Sequence, residues 1–189
     1  MNYDITTYLN LLIQENLFLE SFVYIVARYG DVSLIFILVV FFFIHRHTTT
    51  YICIDPIRIS TRAKEISASL VVGFATWVLV LWIKFVTAIQ RPFMVIPEIE
   101  PLFEYTKNMS FPSGHTAFFT ALGVSLFFEH KRLGILVCML ALCIGVARVM
   151  SGVHFFFDIV AGFVLGIVVA FLVRMVGRKS VRFWLRNQK

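Results

Sequence analysis

The chain has 189 residues, of which 59% are hydrophobic, 16% aromatic and 15% charged. Soluble domains are about 45–50% apolar and about 25% charged, so this composition excludes a disordered chain and argues against a soluble globule. One domain fits the length, and so short a chain cannot hide its apolar surplus inside, so most of it must face lipid.

Residues 3–13 are mildly amphipathic and read as an interfacial helix within residues 1–16. No Lys or Arg precedes the first apolar run and no small-residue cleavage site follows it, so no signal peptide is expected. Residues 17–27 and 32–44 are apolar and are separated by Gly30-Asp31. They form either one long bent helix or a short hairpin. A spanning helix needs about 20 apolar residues. Residues 66–89, 116–128, 133–149 and 155–175 supply further apolar runs, the last interrupted by Asp158 and Arg174. The expectation is a single-domain, all-α polytopic membrane bundle with five or six transmembrane helices.

Alternating helices place residues 45–64, the turn His130-Lys131-Arg132 and the basic tail 178–189 on one side. The opposite loop, 91–112, carries Glu98, Glu100 and Glu104 against Lys107. The positive-inside rule puts the basic side in the cytoplasm. The net charge of +6 is then a topology signal, and no nucleic-acid partner is expected. Cys53, Cys138 and Cys143 have no CxxC spacing and no even-numbered framework, which implies neither a disulfide scaffold nor a zinc site.

A charge at membrane depth costs about 2.5–3.5 kcal/mol on insertion scales. Lys84, Arg91, His115, Arg148, His154 and Asp158 nevertheless stand at apolar helix ends, all on the non-cytoplasmic side by this alternation. Snorkelling accounts for Lys84 alone, but not for a convergent group with two histidines and a carboxylate. Lys84 and Arg91 share a helix face if the helix reaches Arg91, where Pro92 should end it. Pro112-Ser113-Gly114-His115 reads as a tight turn feeding a helix, whose free N–H groups and positive dipole end favour an anion. His154 and Asp158 are four apart on one helix, so the carboxylate can fix the imidazole tautomer.

Three cations and a helix start suit a multiply charged tetrahedral oxyanion, because phosphoryl transfer rests on positioning and charge stabilisation. One histidine can attack phosphorus and the other can protonate the leaving oxygen. Asp158 is the sole carboxylate of the constellation, so no magnesium cluster, and no metal or other cofactor, is expected.

These residues resemble the type 2 phosphatidic acid phosphatase superfamily. Lys84 to Arg91-Pro92 matches its first motif and Pro112 to His115 its second. Arg148, His154 and Asp158 match the third, where Ala147 replaces a frequent Ser. The resemblance implies His154 as the nucleophile, Asp158 as its orienting partner and His115 as the acid. It implies Lys84, Arg91, Ser113, Gly114 and Arg148 as phosphate ligands. It also implies a metal-independent enzyme acting on lipid phosphates or diphosphates, integral to a bacterial plasma membrane, with its site outside the cytoplasm. The N-terminal stretch is similar to undecaprenyl diphosphatases of the bacitracin-resistance type, although these often carry Asp where Gly114 stands. Undecaprenyl diphosphate is therefore the first expected substrate and a glycerophospholipid phosphate the alternative.

Other features have plainer readings. His45, His47 and His130 read as interfacial, and Cys138 and Cys143 as buried small apolar residues. Phe118, Phe119, Phe127, Phe128 and residues 155–157 read as packing and lipid contacts, with one of the last three a candidate for lining the lipid path. Residues 93–96 either dip into the membrane interface or pack on helix ends. Vanadium-dependent haloperoxidases share the histidine, arginine and lysine arrangement, but they are soluble and the composition argues against them. A transporter would need a polar path to the cytoplasmic side, yet residues 133–149 offer no ionisable group besides Cys138, Cys143 and Arg148.

Overall fold

Asn16 decides where the second helix begins. Its side-chain oxygen accepts from the backbone N–H groups of Phe18 and Leu19 at 3.0 and 3.2 Å, a cap that satisfies two orphan donors. Helix α1 (Asn2–Gln14) ends just before it, and α2 (Leu17–Thr48) leaves at a bend of 120°. The computed structural model describes residues 2–48, 56–104 and 108–186, with side chains described for 2–34, 65–104 and 108–177. The described residues are helical throughout, apart from turns and one isolated bridge between Gln90 and Met109. The remaining helices are α3 (Pro56–Thr87), α4 (Pro92–Val95), α5 (Gly114–Phe127), α6 (Lys131–Met150) and α7 (Phe156–Arg186).

The all-helical bundle is as expected. The two apolar runs on either side of Gly30-Asp31 form one helix, α2, so the hairpin reading is set aside. Among the described residues, three helices are long and apolar enough to cross a membrane: α3 from Glu65, α6, and α7 to Gly177. The bent α1–α2 pair is a fourth if counted as one span, and α5 is a shorter apolar helix. Helix α3 stops at Thr87, earlier than Pro92 required, with Ala88 in the left-handed region at φ 47°.

Helix α5 is the hub, with α3, α6 and α7 packed around it. It buries Ala117, Phe119, Ala121, Leu122 and Leu126. Phe119, Leu122 and Leu126 form a core cluster with Leu34 of α2 and Leu133, Val137, Ala141 and Ile144 of α6. The outer helices show their apolar faces instead, among them Phe74, Trp82 and Phe85 of α3 and Val164, Phe171 and Leu172 of α7. Apolar side chains facing outward are what a lipid solvent permits.

Close approach of α5 and α7 depends on Gly162 and Gly166. A Cβ at Gly162 would lie 2.7 Å from the Ser113 carbonyl oxygen, and one at Gly166 2.7 Å from that of Ala117. This small-xxx-small spacing lets two helix backbones touch.

Helix α1 does more than lie at an interface. Thr6, Asn10 and Ile13 are buried against the bundle, while Tyr8, Leu11 and Leu12 face outward. Asn10 Nδ2 donates to the Met150 and Glu100 carbonyls at 2.8 and 3.4 Å. The Thr6 hydroxyl and the Asn2 side-chain carbonyl accept from the N–H groups of Phe156 and Phe157. Helix α1 thus caps the start of α7 from another part of the chain.

Three minor expectations change or sharpen. Cys143 is exposed on α6 and Cys138 is half-buried, so neither is the buried residue expected. Residues 93–96 pack on helix ends in part: Ile96 joins Ile99 and Phe155 in a small cluster, while Met94 and Val95 stay exposed. Phe155 is buried with its ring centroid 5.2 Å from Tyr3, whereas Phe157 is exposed. The side chains of His45, His47 and the basic residues between 45 and 64, and those of the tail 178–189, lie outside the described residues.

Candidate active site

The site is assembled at the end of the bundle where α3 and α6 finish and α5 and α7 begin. Residues 151–155 turn tightly between α6 and α7, aided by Gly152 at φ 75°. The N–H groups of Val153 and His154 return to the Arg148 carbonyl at 3.2 and 3.3 Å. This turn carries His154 inward until it is buried. One turn later, Asp158 Oδ2 accepts from the Phe155 N–H at 2.9 Å and lies 3.2 Å from His154 Nδ1. The carboxylate is therefore fixed by the backbone and in turn fixes the imidazole.

The opposite ring nitrogen looks into the site. His154 Nε2 is 3.4 Å from Arg91 Nη1. With the proton on Nδ1 facing Asp158, Nε2 carries the lone pair. Burial is the largest influence on this imidazole and pushes it down to about 3, against the opposing pull of the Asp158 hydrogen bond. His154 is thus neutral at working pH, the state a nucleophile requires.

Arg91 lies beyond α3, in extended backbone just before α4. Its guanidinium is buried, donating through Nη1 to the Val153 carbonyl and through Nη2 to the Met109 carbonyl at 3.1 Å. Lys84 Nζ donates to the Ser110 and Met109 carbonyls at 2.6 and 3.1 Å. Both cations therefore hold residues 109–110 against the site. The Ser110 N–H adds a bond of 2.8 Å to the Ile89 carbonyl.

Ser113 is the N-cap of α5. Its hydroxyl oxygen accepts from the Thr116 N–H at 3.5 Å and from the Thr116 hydroxyl at 3.0 Å. Its own N–H donates to the Asp158 carbonyl at 3.0 Å, tying the two helix starts together. Gly114, the first helical residue, sits against Trp77 and Val80 of α3. His115 follows, half-buried, with Nε2 3.2 Å from Asp31 Oδ2.

Arg148 at the end of α6 is 3% exposed, and its Nη2 is 3.7 Å from the same Asp31 oxygen. Its Nε and Nη1 are buried and have no hydrogen-bond partner among the described residues. Leaving buried donors unmade is costly, and two such donors on a guanidinium suit an incoming oxyanion. Every expected site residue therefore lies at this end: His154, Asp158, His115, Lys84, Arg91, Ser113, Gly114 and Arg148. Among the described residues, no group of three His, Cys, Asp or Glu side chains is arranged to hold a metal ion.

Two neighbours were not read from the sequence. Ser110 Oγ donates to Asp158 Oδ2 and lies 3.3 Å from His154 Nδ1. Asp31 bridges His115 and Arg148. An acidic residue inside an apolar helix was the available signal for Asp31. Ser110, in a loop, offered none.

Comparison with known proteins gives a consistent picture. The PAP2 superfamily pattern matches residues 65–182, more than half of the chain. The chain is 40% identical over 83 residues to the "Bacitracin transport permease protein BcrC" of Bacillus licheniformis, covering 44% of this chain and 41% of that protein. It is 24% identical over 172 residues to the "Undecaprenyl-diphosphatase BcrC" of Bacillus subtilis, covering 91% of this chain and 82% of that one. The match thus spans less than half the length of the first of these relatives. In fold, the chain is similar to the transmembrane PAP2 type phosphatidylglycerolphosphate phosphatase of Bacillus subtilis, with a TM-score of 0.64 and 23% identity, over 94% of this chain and 85% of that one. Apolar spanning helices in a transmembrane fold make this an integral membrane protein.

Proposed function

Because the chain belongs to the PAP2 superfamily, we propose that it is a membrane phosphatase hydrolysing a lipid phosphate or diphosphate through a phosphohistidine intermediate. One observation carries this reading: a buried imidazole held by Asp158 presents Nε2 beside Arg91, at the bundle end where Arg148 has two nitrogens without a partner among the described residues.

In the proposed reaction the phosphoryl group sits between Arg91, Arg148, Lys84 and the start of α5, where the helix dipole favours an anion. His154 Nε2 attacks phosphorus, and the bond from phosphorus to the leaving oxygen breaks. His115 gives its proton to that oxygen. The lipid product departs and a phosphohistidine remains. Water then attacks phosphorus, its proton returns to His115, and phosphate leaves as Nε2 is released. Asp158 stabilises the charge on the ring at both stages. The cations hold the phosphoryl oxygens throughout.

Undecaprenyl diphosphate is the first substrate of this reading, supported by the diphosphatase relative that covers most of the chain. The site would face out of the cytoplasm of a bacterial plasma membrane, a placement supported by basic residues at the opposite bundle end. A glycerophospholipid phosphate is the second reading, favoured by glycine at position 114.

The test is phosphate release by the purified chain in detergent with EDTA. Undecaprenyl diphosphate, phosphatidic acid and phosphatidylglycerol phosphate are compared, with His154→Ala as control. Release that survives EDTA and vanishes in the variant is expected, fastest from the diphosphate. Release only from a glycerophospholipid selects the second reading. Release from none of the three leaves an anion or lipid transporter as the alternative and defeats the phosphatase reading.

A further inference from the structure

We propose that Asp31 is a positioning residue of this site: its carboxylate, reaching from α2 to His115 and Arg148, orients the leaving-group acid and keeps it charged. The inference rests on the phosphatase reading above.

Asp31 lies outside residues 65–182, the part of the chain that matches the PAP2 pattern. It is nevertheless an acidic side chain in the middle of an apolar helix, which is expensive unless it is paired. Its partners belong to two other helices. Oδ2 is 3.2 Å from His115 Nε2 at the start of α5 and 3.7 Å from Arg148 Nη2 at the end of α6. Helix α2 reaches them because residue 30 is glycine. A Cβ there would stand 2.9 Å from Ile144 Cγ1 of α6, so a larger residue would force a local shift between the two helices.

The charge balance explains the need. Lys84 of α3, Arg91 beyond it and Arg148 of α6 gather at this end, and nearby cations disfavour a charged imidazole. The carboxylate of α7, Asp158, is already engaged by His154, Ser110 and the Phe155 N–H. Without Asp31, no carboxylate among the described contacts would stand between His115 and Arg148. Asp31 also lies 3.7 Å from Nη2 of Arg148, whose Nε and Nη1 have no partner among the described residues. One carboxylate thus serves the acid and one of the phosphate ligands.

The experiment uses the full chain in detergent from pH 5 to 9. The substrates are dioctanoyl phosphatidic acid, farnesyl diphosphate and p-nitrophenyl phosphate. Wild-type turnover that His154→Ala abolishes establishes the phosphatase reading independently of Asp31, and no wild-type turnover on any substrate defeats both. Given turnover, Asp31→Asn should lower kcat by about tenfold or more on phosphatidic acid, whose alkoxide must be protonated to leave. The loss on p-nitrophenyl phosphate should be several times smaller, because that leaving group needs little acid help. The alkaline limb of the pH profile should move to lower pH by about one unit on whichever substrate is hydrolysed, because the imidazolium loses its counter-charge. Asp31→Ser should do the same, and Asp31→Glu should restore the limb in part. Equal losses on all substrates with the limb unmoved would make Asp31 merely structural. Unchanged activity in Asp31→Asn and Asp31→Ser would overturn the inference outright.

Discussion

His154 is the proposed nucleophile, and its burial ties the proposed chemistry to stability. Its imidazole stays neutral in the folded chain down to about pH 3, while in the unfolded chain it gains a proton near 6.5. The unfolded state therefore binds more protons below that value, so stability present above pH 6.5 is lost as pH falls toward 3. The slope approaches about 1.4 kcal/mol per pH unit. Thermal unfolding in detergent should accordingly show a midpoint that drops between pH 6.5 and 5, and His154→Gln should flatten that dependence. An equal dependence in the variant would assign it elsewhere. Ser110 stands beside this pair, donating to Asp158. Ser110→Ala removes a buried partner of a carboxylate, a change worth about 1–3 kcal/mol. Turnover should fall by about tenfold with KM little changed, and unaltered kcat would remove Ser110 from the site. The cations and histidines were legible because charge at an apolar helix end has to be explained. Ser110 was not, because an ordinary loop serine becomes a ligand only when Lys84, Arg91 and the Ile89 carbonyl fold the loop back.

At the scale of elements, the site is held by contacts between helix starts. Helix α7 touches the Ser113 turn through Gly162, where a Cβ would lie 2.7 Å from the Ser113 carbonyl. Gly177, on the same helix, has nothing within 4 Å. Alanine is the better helix former by about 0.8–1.0 kcal/mol, so Gly177→Ala should be neutral or slightly stabilising. Gly162→Ala should instead lower both the unfolding midpoint and turnover by displacing the turn. Equal behaviour of the two variants would refute this account of the α5–α7 contact. Periodicity and apolar length made the long helices legible. They left open whether α2 runs through Gly30-Asp31, because a Gly-Asp pair also suits a turn; the structure continues the helix there, with Gly30 close to Ile144. Nor did they show that α1 docks, because its buried stripe is Thr6, Asn10 and Ile13, two of them polar. Asn10→Ala should cost about 1–3 kcal/mol by stranding the Met150 carbonyl. A midpoint unchanged by that substitution would deny α1 its role.

In the whole molecule the candidate site sits at one end of the bundle. All candidate site residues gather at one bundle end, while His130 and the Arg174–Glu129 pair mark the other. Orientation can be checked with a membrane-impermeant thiol reagent on intact cells, using single-cysteine variants. Glu98→Cys, exposed in the loop after α4, should be labelled from outside, and Lys131→Cys only after the membrane is opened. The reverse pattern would turn the site toward the cytoplasm. In the proposed reaction His154 carries the phosphoryl group between the two half-reactions. The most direct test is rapid quenching of the purified chain with a turning-over lipid phosphate, followed by peptide mass spectrometry under alkaline conditions that preserve phosphohistidine. One phosphoryl group on His154 is expected, absent in His154→Ala. Phosphate on another residue, or turnover with no phosphorylated enzyme at any quench time, would contradict it.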